Sequence, residues 1–187
     1  AAIMPRTCVA ADQVLVLDTV GSTNTYAADL VRAGRLFGMD GMDGIAGNLV
    51  WSGREIVVVA ANEQTAGRGR LDHTWASVPG ESFIVSLVVS VPVAIVRDSS
   101  VNGWLQMIAG CEMREAIVGA VCDFGGTLDE DVLLKWPNDI FAGGKKFGGV
   151  LAEMVPIPDC GDRVAIVIGV GLNLAVAQER LPIDRST

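Results

Sequence analysis

The sequence predicts a single-domain α+β fold, and three observations carry that expectation. Short apolar runs rich in valine and isoleucine recur along the chain, as buried strands require. Several follow one another across short turns, which favours antiparallel neighbours. Helical segments are few and do not alternate regularly with the strands, so a doubly wound α/β fold is disfavoured.

The elements can be taken in order. "VLVLD" at 14–18 reads as a strand. In "TVGSTN", which follows, Ser22, Thr23 and Asn24 are helix-capping types. "TYAADLVRAG" then has helical spacing at Tyr26, Leu30 and Val31, with Gly34 as a stop. Ser22 and Thr23 thus sit where a strand hands over to a helix, and free backbone N–H groups there can meet a polar ligand. Residues 38–48, rich in Gly and Asp, read as a mobile loop. "IVVVAANEQ" at 56–64 and "SFIVSLVVSV" at 82–91 are strong strands. Residues 99–118 read as a helix capped near Ser99 or Ser100, with Leu105, Ile108, Ala109, Met113 and Ile117 facing inward. Residues 132–155 read as two strands joined by a Gly-Lys hairpin, the first interrupted by Pro137. Residues 163–174 form a last strand ending in a polar Asn.

Bulk properties narrow the function classes. A chain of 187 residues suits one domain with a real core, and 50% apolar residues argue against disorder. The net charge of -8 and a pI of about 4.5 disfavour a nucleic-acid partner. The longest apolar runs, near 56–61 and 87–96, are far short of a bilayer span, so no membrane partner is expected. The four cysteines form no C-x-x-C and only one histidine is present, which argues against a cysteine-rich zinc site. Reduced thiols and an N-terminus without an apolar run behind a basic leader favour a cytoplasmic setting.

Four clusters could carry chemistry. "AGRGRLDHTW" at 66–75 matches neither the P-loop nor the dinucleotide-binding glycine pattern. Gly67 and Gly69 allow close backbone approach, and in an extended segment Arg68 and Arg70 share a face. They form either a bidentate anion clamp or a surface turn with solvated arginines. In "KWPND" at 135–139, Lys135 follows three apolar residues, and Asn138 and Asp139 are oxygen donors at a strand break. A magnesium site and an ordinary Asx turn both fit them. "GGKKFGG" at 143–149 is a flexible hairpin that either brings an ammonium to a carboxylate or phosphate or is solvated. "GVGLN" at 169–173 places Asn173 at a strand end. Together they suit an anionic, nucleotide-like ligand with magnesium.

The set "GSTN", "EQTAGRGR" with Trp75, "KWPND", "GGKKFGGVLAE" and "GVGLN" resembles, in order, the motifs of biotin protein ligases, also called biotin–[acetyl-CoA-carboxylase] ligases. The likeness covers roughly residues 14–175, with the whole chain 1–187 read as the catalytic domain. It implies a mixed, largely antiparallel sheet packed against helices. It also implies ATP-dependent activation of biotin to biotinyl-5'-adenylate, and transfer to a lysine of the biotin carboxyl carrier domain of a carboxylase, acetyl-CoA carboxylase being the expected one. Biotin, ATP and Mg2+ are the implied ligands. By resemblance Ser22, Thr23 and Gln64, with Asn24 beside them, meet the biotin head group. Gly67, Arg68, Gly69 and Arg70 form a loop over biotin and the adenylate, and Lys146, with Gly148 nearby, reaches the biotin carboxylate and the adenylate phosphoryl. Lys135, Asn138 and Asp139 match the ATP-phosphate and magnesium part, Asp139 being a conceivable base for the acceptor lysine. Trp75 and Asn173 match the adenine side. Arg68, Lys135, Lys146 and Asp139 are then the catalytic set.

The sequence departs from that pattern in the second half of the glycine-arginine segment. Asp72 and His73 stand where many members have Gly and Arg, which puts a triphosphate contact there in doubt. His73 is expected either to bind a phosphate when protonated or to pair with Asp72 or a main-chain carbonyl. No stretch corresponds to the N-terminal winged helix of the bifunctional members or to their C-terminal β domain, so operon repression is not expected. A homodimer through an edge strand is left open. The rival readings are a lipoate or octanoate ligase or transferase of the same fold, and a non-catalytic biotin-binding protein.

Overall fold

The computed structural model describes residues 5–36, 56–101 and 103–177. The expected loop at 38–48 lies outside the described residues.

A six-residue helix, α1 (Pro5–Ala10), precedes strand β1 (Gln13–Val20) and helix α2 (Thr23–Arg32). Strand β2 (Ile56–Gln64) leads into a small hairpin, β3 (Gly67–Arg68) and β4 (Thr74–Trp75). Strand β5 (Ser82–Pro92), the short helix α3 (Val93–Arg97) and helix α4 (Trp104–Asp123) follow. Four strands complete the described chain: β6 (Val132–Lys135), β7 (Asp139–Ala142), β8 (Lys145–Pro156) and β9 (Arg163–Asn173).

Seven strands form one mixed sheet in the order β1-β2-β5-β9-β8-β7-β6. Among the described strands only β1 and β2 pair in parallel, and the chain between them, which includes α2, is long enough for the crossover that a parallel pair needs. The α+β, largely antiparallel expectation is therefore met. The run Val57–Ala61 is apolar throughout because β2 is covered on both faces. Val57 and Val59 pack with Ala27, Val31, Val88 and Val167 under α2. Val58 and Ala60 pack with Val85, Val150 and Val170 on the opposite face, against Ala109, Met113 and Ile117 of α4.

Both principal helices end in the same way. Gly34 (φ 65°) follows α2, with the N–H of Arg35 bonded to Leu30 O and that of Gly34 to Val31 O. Gly125 (φ 71°) follows α4, with Gly126 bonded to Val121 and Gly125 to Cys122. These are Schellman closures, and glycine suits their left-handed residue. The N-cap of α2 is Ser22, one of the three residues expected there, and its side chain accepts from Thr25 N.

Three expectations need correction. Helix α4 starts at Trp104, not near Ser99 or Ser100, and runs to Asp123. Asp98 accepts from both the N–H and the hydroxyl of Ser100, and this local turn competes with a helical start. Ile108, expected to face inward, is 54% exposed. The region 132–155 holds three strands rather than two. "WPN" separates β6 from β7, and the next turn is Gly143–Gly144, both at positive φ, which leaves Lys145 and Lys146 in β8 rather than at the tip.

Candidate active site

The register of the central strands explains where a site can form. Val88, Ser86 and Ile84 of β5 pair with Val167, Gly169 and Gly171 of β9. Those same β9 residues pair with Glu153, Leu151 and Gly149 of β8. All nine therefore share one face. At one end of that face the side chains are valines under α2. At the other, side chains shrink to Gly149, Gly169 and Gly171, and the helix has not yet begun. A cavity of about 640 Å³ opens there.

Its walls gather most of the residues singled out from the sequence. Ser22, Thr23, Asn24, Gln64, Arg68, Gly69, Arg70, Trp75, Asn138, Asp139, Lys146 and Asn173 all line it, as does His73. Apolar surface comes from Ile84, Val150, Leu151 and Val170. Such a mixture of apolar wall and few convergent polar groups is the usual composition of a small-molecule site.

The end at the start of α2 is tightly bonded. Gln64 Oε1 accepts from the Thr23 backbone N–H at 2.7 Å and from the Thr23 hydroxyl at 3.0 Å. The hydroxyls of Thr23 and Ser86 lie 2.8 Å apart, and Ser86 Oγ donates to Asn24 Oδ1 at 2.7 Å. Asn24 Nδ2 donates to Leu151 O and Glu153 Oε2. A Cβ on Gly169 would lie 2.2 Å from Asn24 Oδ1, so this position must be glycine for Asn24 to seat there.

Arg68 borders this network through the same Glu153, and Arg70 and Lys146 lie apart from it with Asn138 and Asp139. Arg68 donates to Glu153 Oε1 at 2.6 Å and to Thr25 Oγ1 at 3.2 Å. Arg70 donates to Asn138 Oδ1 at 3.3 Å, and Lys146 Nζ lies 2.8 Å from Asp139 Oδ1. Arg68, Arg70 and Lys146 line the cavity; Arg68 is paired with Glu153 and Lys146 with Asp139, while Arg70 meets the neutral Asn138. The hairpin β3–β4 carries Arg68 opposite Thr74 and Gly67 opposite Trp75. The Trp75 ring lies against Gly171, where a Cβ would be 2.6 Å from Cε2. Its Nε1 is buried with no hydrogen-bond partner among the described residues. Unpaired buried donors are uncommon in native structures.

Three expected site residues stand elsewhere. Lys135 is exposed on the edge strand β6, its ammonium 5.3 Å from the centre of the Phe141 ring, outside the cavity wall. The apolar run before it does not bury it, because burial alternates along β6: Val132 is buried while Leu133 and Lys135 fall on the exposed face. Gly148 faces the core rather than the cavity: a Cβ there would lie 2.5 Å from Leu172 Cδ2. Gly67 borders a smaller recess on the hairpin, and a Cβ on it would lie 2.4 Å from Trp75 O. His73 is exposed; its carbonyl accepts from Gly69 N and its N–H donates to Arg70 O, which closes the hairpin loop. Leu71 in that loop has φ 54°, a left-handed conformation uncommon for a branched residue. The Asp72 side chain lies outside the described residues.

Sequence reasoning missed Ser86, Thr25 and Glu153. Ser86 had a readable signal, as a serine in the middle of the β5 valine run. Glu153 was part of a quoted motif without a role. Thr25 gave no signal of its own.

No helix of the described residues is long and apolar enough to cross a membrane. No group of three or more His, Cys, Asp or Glu among them could hold a metal by itself.

The mixed sheet, with a cavity where a helix starts and a glycine-arginine hairpin beside it, defines a ligand-binding α+β domain. The chain belongs to the biotin/lipoate A/B protein ligase family, which it matches over residues 51–173. It is 34% identical over 175 residues to a biotin–[acetyl-CoA-carboxylase] ligase of Mycobacterium tuberculosis, a match covering 91% of this chain and 54% of that protein. Among solved structures, biotin protein ligase from Leishmania major in complex with biotin superposes with a TM-score of 0.59 at 30% identity, covering 88% of this chain and 57% of that one. The biotin acetyl coenzyme A carboxylase synthetase of Helicobacter pylori with bound biotinylated ATP gives a TM-score of 0.59 at 19% identity, covering 94% and 66%, which shows the shared fold. The chain spans about half the length or less of the curated relatives it matches.

Proposed function

We propose that this domain activates biotin with ATP, forming biotinyl-5'-adenylate, and passes the biotinyl group to a lysine of a biotin carboxyl carrier domain. The observation that carries this is one cavity holding a hydrogen-bonding network at the start of α2, around Thr23, Asn24 and Gln64, and two cations, Arg70 and Lys146, beside Asn138 and Asp139. Biotin likewise carries a ureido ring at one end and a carboxylate at the other.

In this reading the ring rests among Ser22, Thr23, Asn24 and Gln64. Its carboxylate lies toward Arg68 and Lys146, which offset the repulsion between it and the ATP phosphates. A carboxylate oxygen forms a bond to the α-phosphorus while the bond to the β-phosphate oxygen breaks, and pyrophosphate leaves. The acceptor lysine, once deprotonated, forms an amide at the biotinyl carbonyl, and AMP leaves with its phosphate oxygen. Asp139 holds Lys146 in place and is the carboxylate we assign to taking the acceptor proton. Trp75, seated on Gly171, is the ring we assign to the adenine side. Asn173 belongs to the same side.

Magnesium fits as a metal held mainly by substrate phosphates, with Asn138 and Asp139 supplying the protein oxygens. It would withdraw charge from the phosphates. Lys135, on the outer strand, is assigned to the far end of the triphosphate, where solvent still reaches. The protein is assigned to the cytoplasm, where ATP and carboxylases occur together.

The test is biotin-dependent pyrophosphate release from MgATP, followed by biotin transfer to a carrier domain. Release with biotin and none with lipoate or octanoate supports the reading. Release only with lipoate or octanoate moves the assignment to the other branch of the family. Tight biotin binding without release leaves a biotin-binding protein.

A further inference from the structure

We infer that Glu153 is a positioning residue: its carboxylate anchors the glycine-arginine hairpin to the start of α2 and so holds Arg68 at the cavity. The consequence for reaction rate rests on the proposed function; the anchoring itself does not.

The hairpin has little of its own to hold it in place. Each of its strands is two residues long, and its loop bonds, Gly69 N–H to His73 O and His73 N–H to Arg70 O, are internal. Among the described residues, the side chains that bond it to the rest of the fold are Arg68 and Arg70. Arg70 reaches the neutral Asn138 at 3.3 Å. Arg68 reaches the neutral Thr25 hydroxyl at 3.2 Å and the Glu153 carboxylate at 2.6 Å. Hydrogen bonds between ionised groups are stronger than neutral ones, so Glu153 is the main anchor.

Glu153 is also tied from the other side. Its second oxygen, Oε2, accepts from Asn24 Nδ2 at 2.8 Å. Asn24 is fixed in turn by Leu151 O at 3.2 Å and Ser86 Oγ at 2.7 Å. The carboxylate thus gives one oxygen to a donor on the hairpin and the other to a donor on α2. A glutamine of the same length has a single acceptor, and its NH2 would face either Arg68 or Asn24 Nδ2, donor against donor. Arg68 lines the cavity, whereas Glu153 stands behind it, outside the cavity wall. Glu153 therefore acts through Arg68 and not on a ligand.

The experiment is limited trypsin digestion of the ligand-free protein, because trypsin cuts after arginine and the hairpin carries Arg68 and Arg70. The wild type, Glu153→Gln, Glu153→Asp, Arg68→Ala and the double variant Arg68→Ala/Glu153→Gln are compared, with thermal melting of each alongside. Glu153→Gln should raise cleavage after Arg68 and Arg70 about fivefold, the scale of one exposed ion pair, with other sites unchanged. Glu153→Asp keeps both oxygens on a shorter stem and should show a smaller rise; it carries the test if the glutamine variant does not fold. In the Arg68→Ala background Glu153→Gln should add nothing at Arg70, because the single acceptor is then free for Asn24. A merely structural glutamate would add its full effect there. Biotin-dependent pyrophosphate release by the same proteins should fall about fivefold in Glu153→Gln, through kcat, and no further in the double variant than in Arg68→Ala. Unchanged cleavage in a folded variant, an equal rise at all sites, or additive effects overturn the inference alone. A wild type without biotin-dependent release overturns the proposed function and leaves the digestion to decide the anchoring.

Discussion

Arg68 donates to Glu153 across 2.6 Å, joining the glycine-arginine hairpin to strand β8. The pair is half exposed on the arginine side, at 48%. Exposed ion pairs contribute roughly 0–1 kcal/mol to stability. Arg68→Ala should therefore lower the melting temperature by less than about 4 °C. The same change should reduce biotin-dependent pyrophosphate release by about 100-fold or more, since it removes a preorganised cation from the reacting carboxylate. A large loss of stability with little loss of release would mean that Arg68 is a strut.

The two glycines of β9 should differ. In Gly169→Ala the new Cβ meets Asn24 Oδ1, and Asn24 is held on three sides. Overpacking of this kind costs about 1–3 kcal/mol, and ligand affinity should fall with it. In Gly171→Ala the Cβ meets the Trp75 ring, which sits on a two-residue hairpin strand that can shift. Stability should change less, while the KM for ATP rises. Thermal melting and steady-state kinetics on both variants separate the two effects.

The two lysines should also separate. Lys146 is paired with Asp139 inside the cavity; Lys135 is exposed over Phe141. Lys146→Ala is expected to reduce kcat for adenylate formation by about 100-fold or more. Lys135→Ala should cost less than about tenfold and appear as a higher KM for ATP, because a solvated charge is screened. Equal losses in kcat would show that Lys135 moves into the cavity during the reaction.

Asp98 gives a pH prediction away from the site. Hydrogen bonds from the Ser100 hydroxyl and then the Ser100 N–H hold its carboxyl below the ordinary value of 3.8. The folded value is thus lowered, so this contribution to stability is present above the unfolded value and is lost as pH falls through the folded one. In Ser100→Ala the Asp98 titration, followed by carboxyl NMR, should move up toward 3.8. No movement would mean that the turn before α4 does not persist in solution.

Much of the fold was legible because its elements have strong local signals. The β2 run matched its strand because continuous valines suit a strand covered on both faces. Gly34 stopped α2 because the left-handed residue of a helix closure favours glycine. The start of α4 was misread because two serines look like caps, while Asp98 already engages Ser100. The strand count in 132–155 was misread because the chain's separation of β6 from β7 depends on three residues, "WPN", that can also interrupt a single strand.

The site was legible as a list and not as a place. By itself the sequence determined which chemistry was available: arginines flanked by glycine, lysines between glycine pairs, and small polar residues at a helix start. Those follow from residue type and local spacing. Only the tertiary structure decided that Arg68 meets Glu153, that Ser86 lies under Thr23 and Asn24, and that Lys135 stays on the outer strand. Strand register is the reason. It places Ser86, Leu151 and Gly169 on one face, below the start of the helix that carries Asn24, while the strand order leaves β6 at the edge.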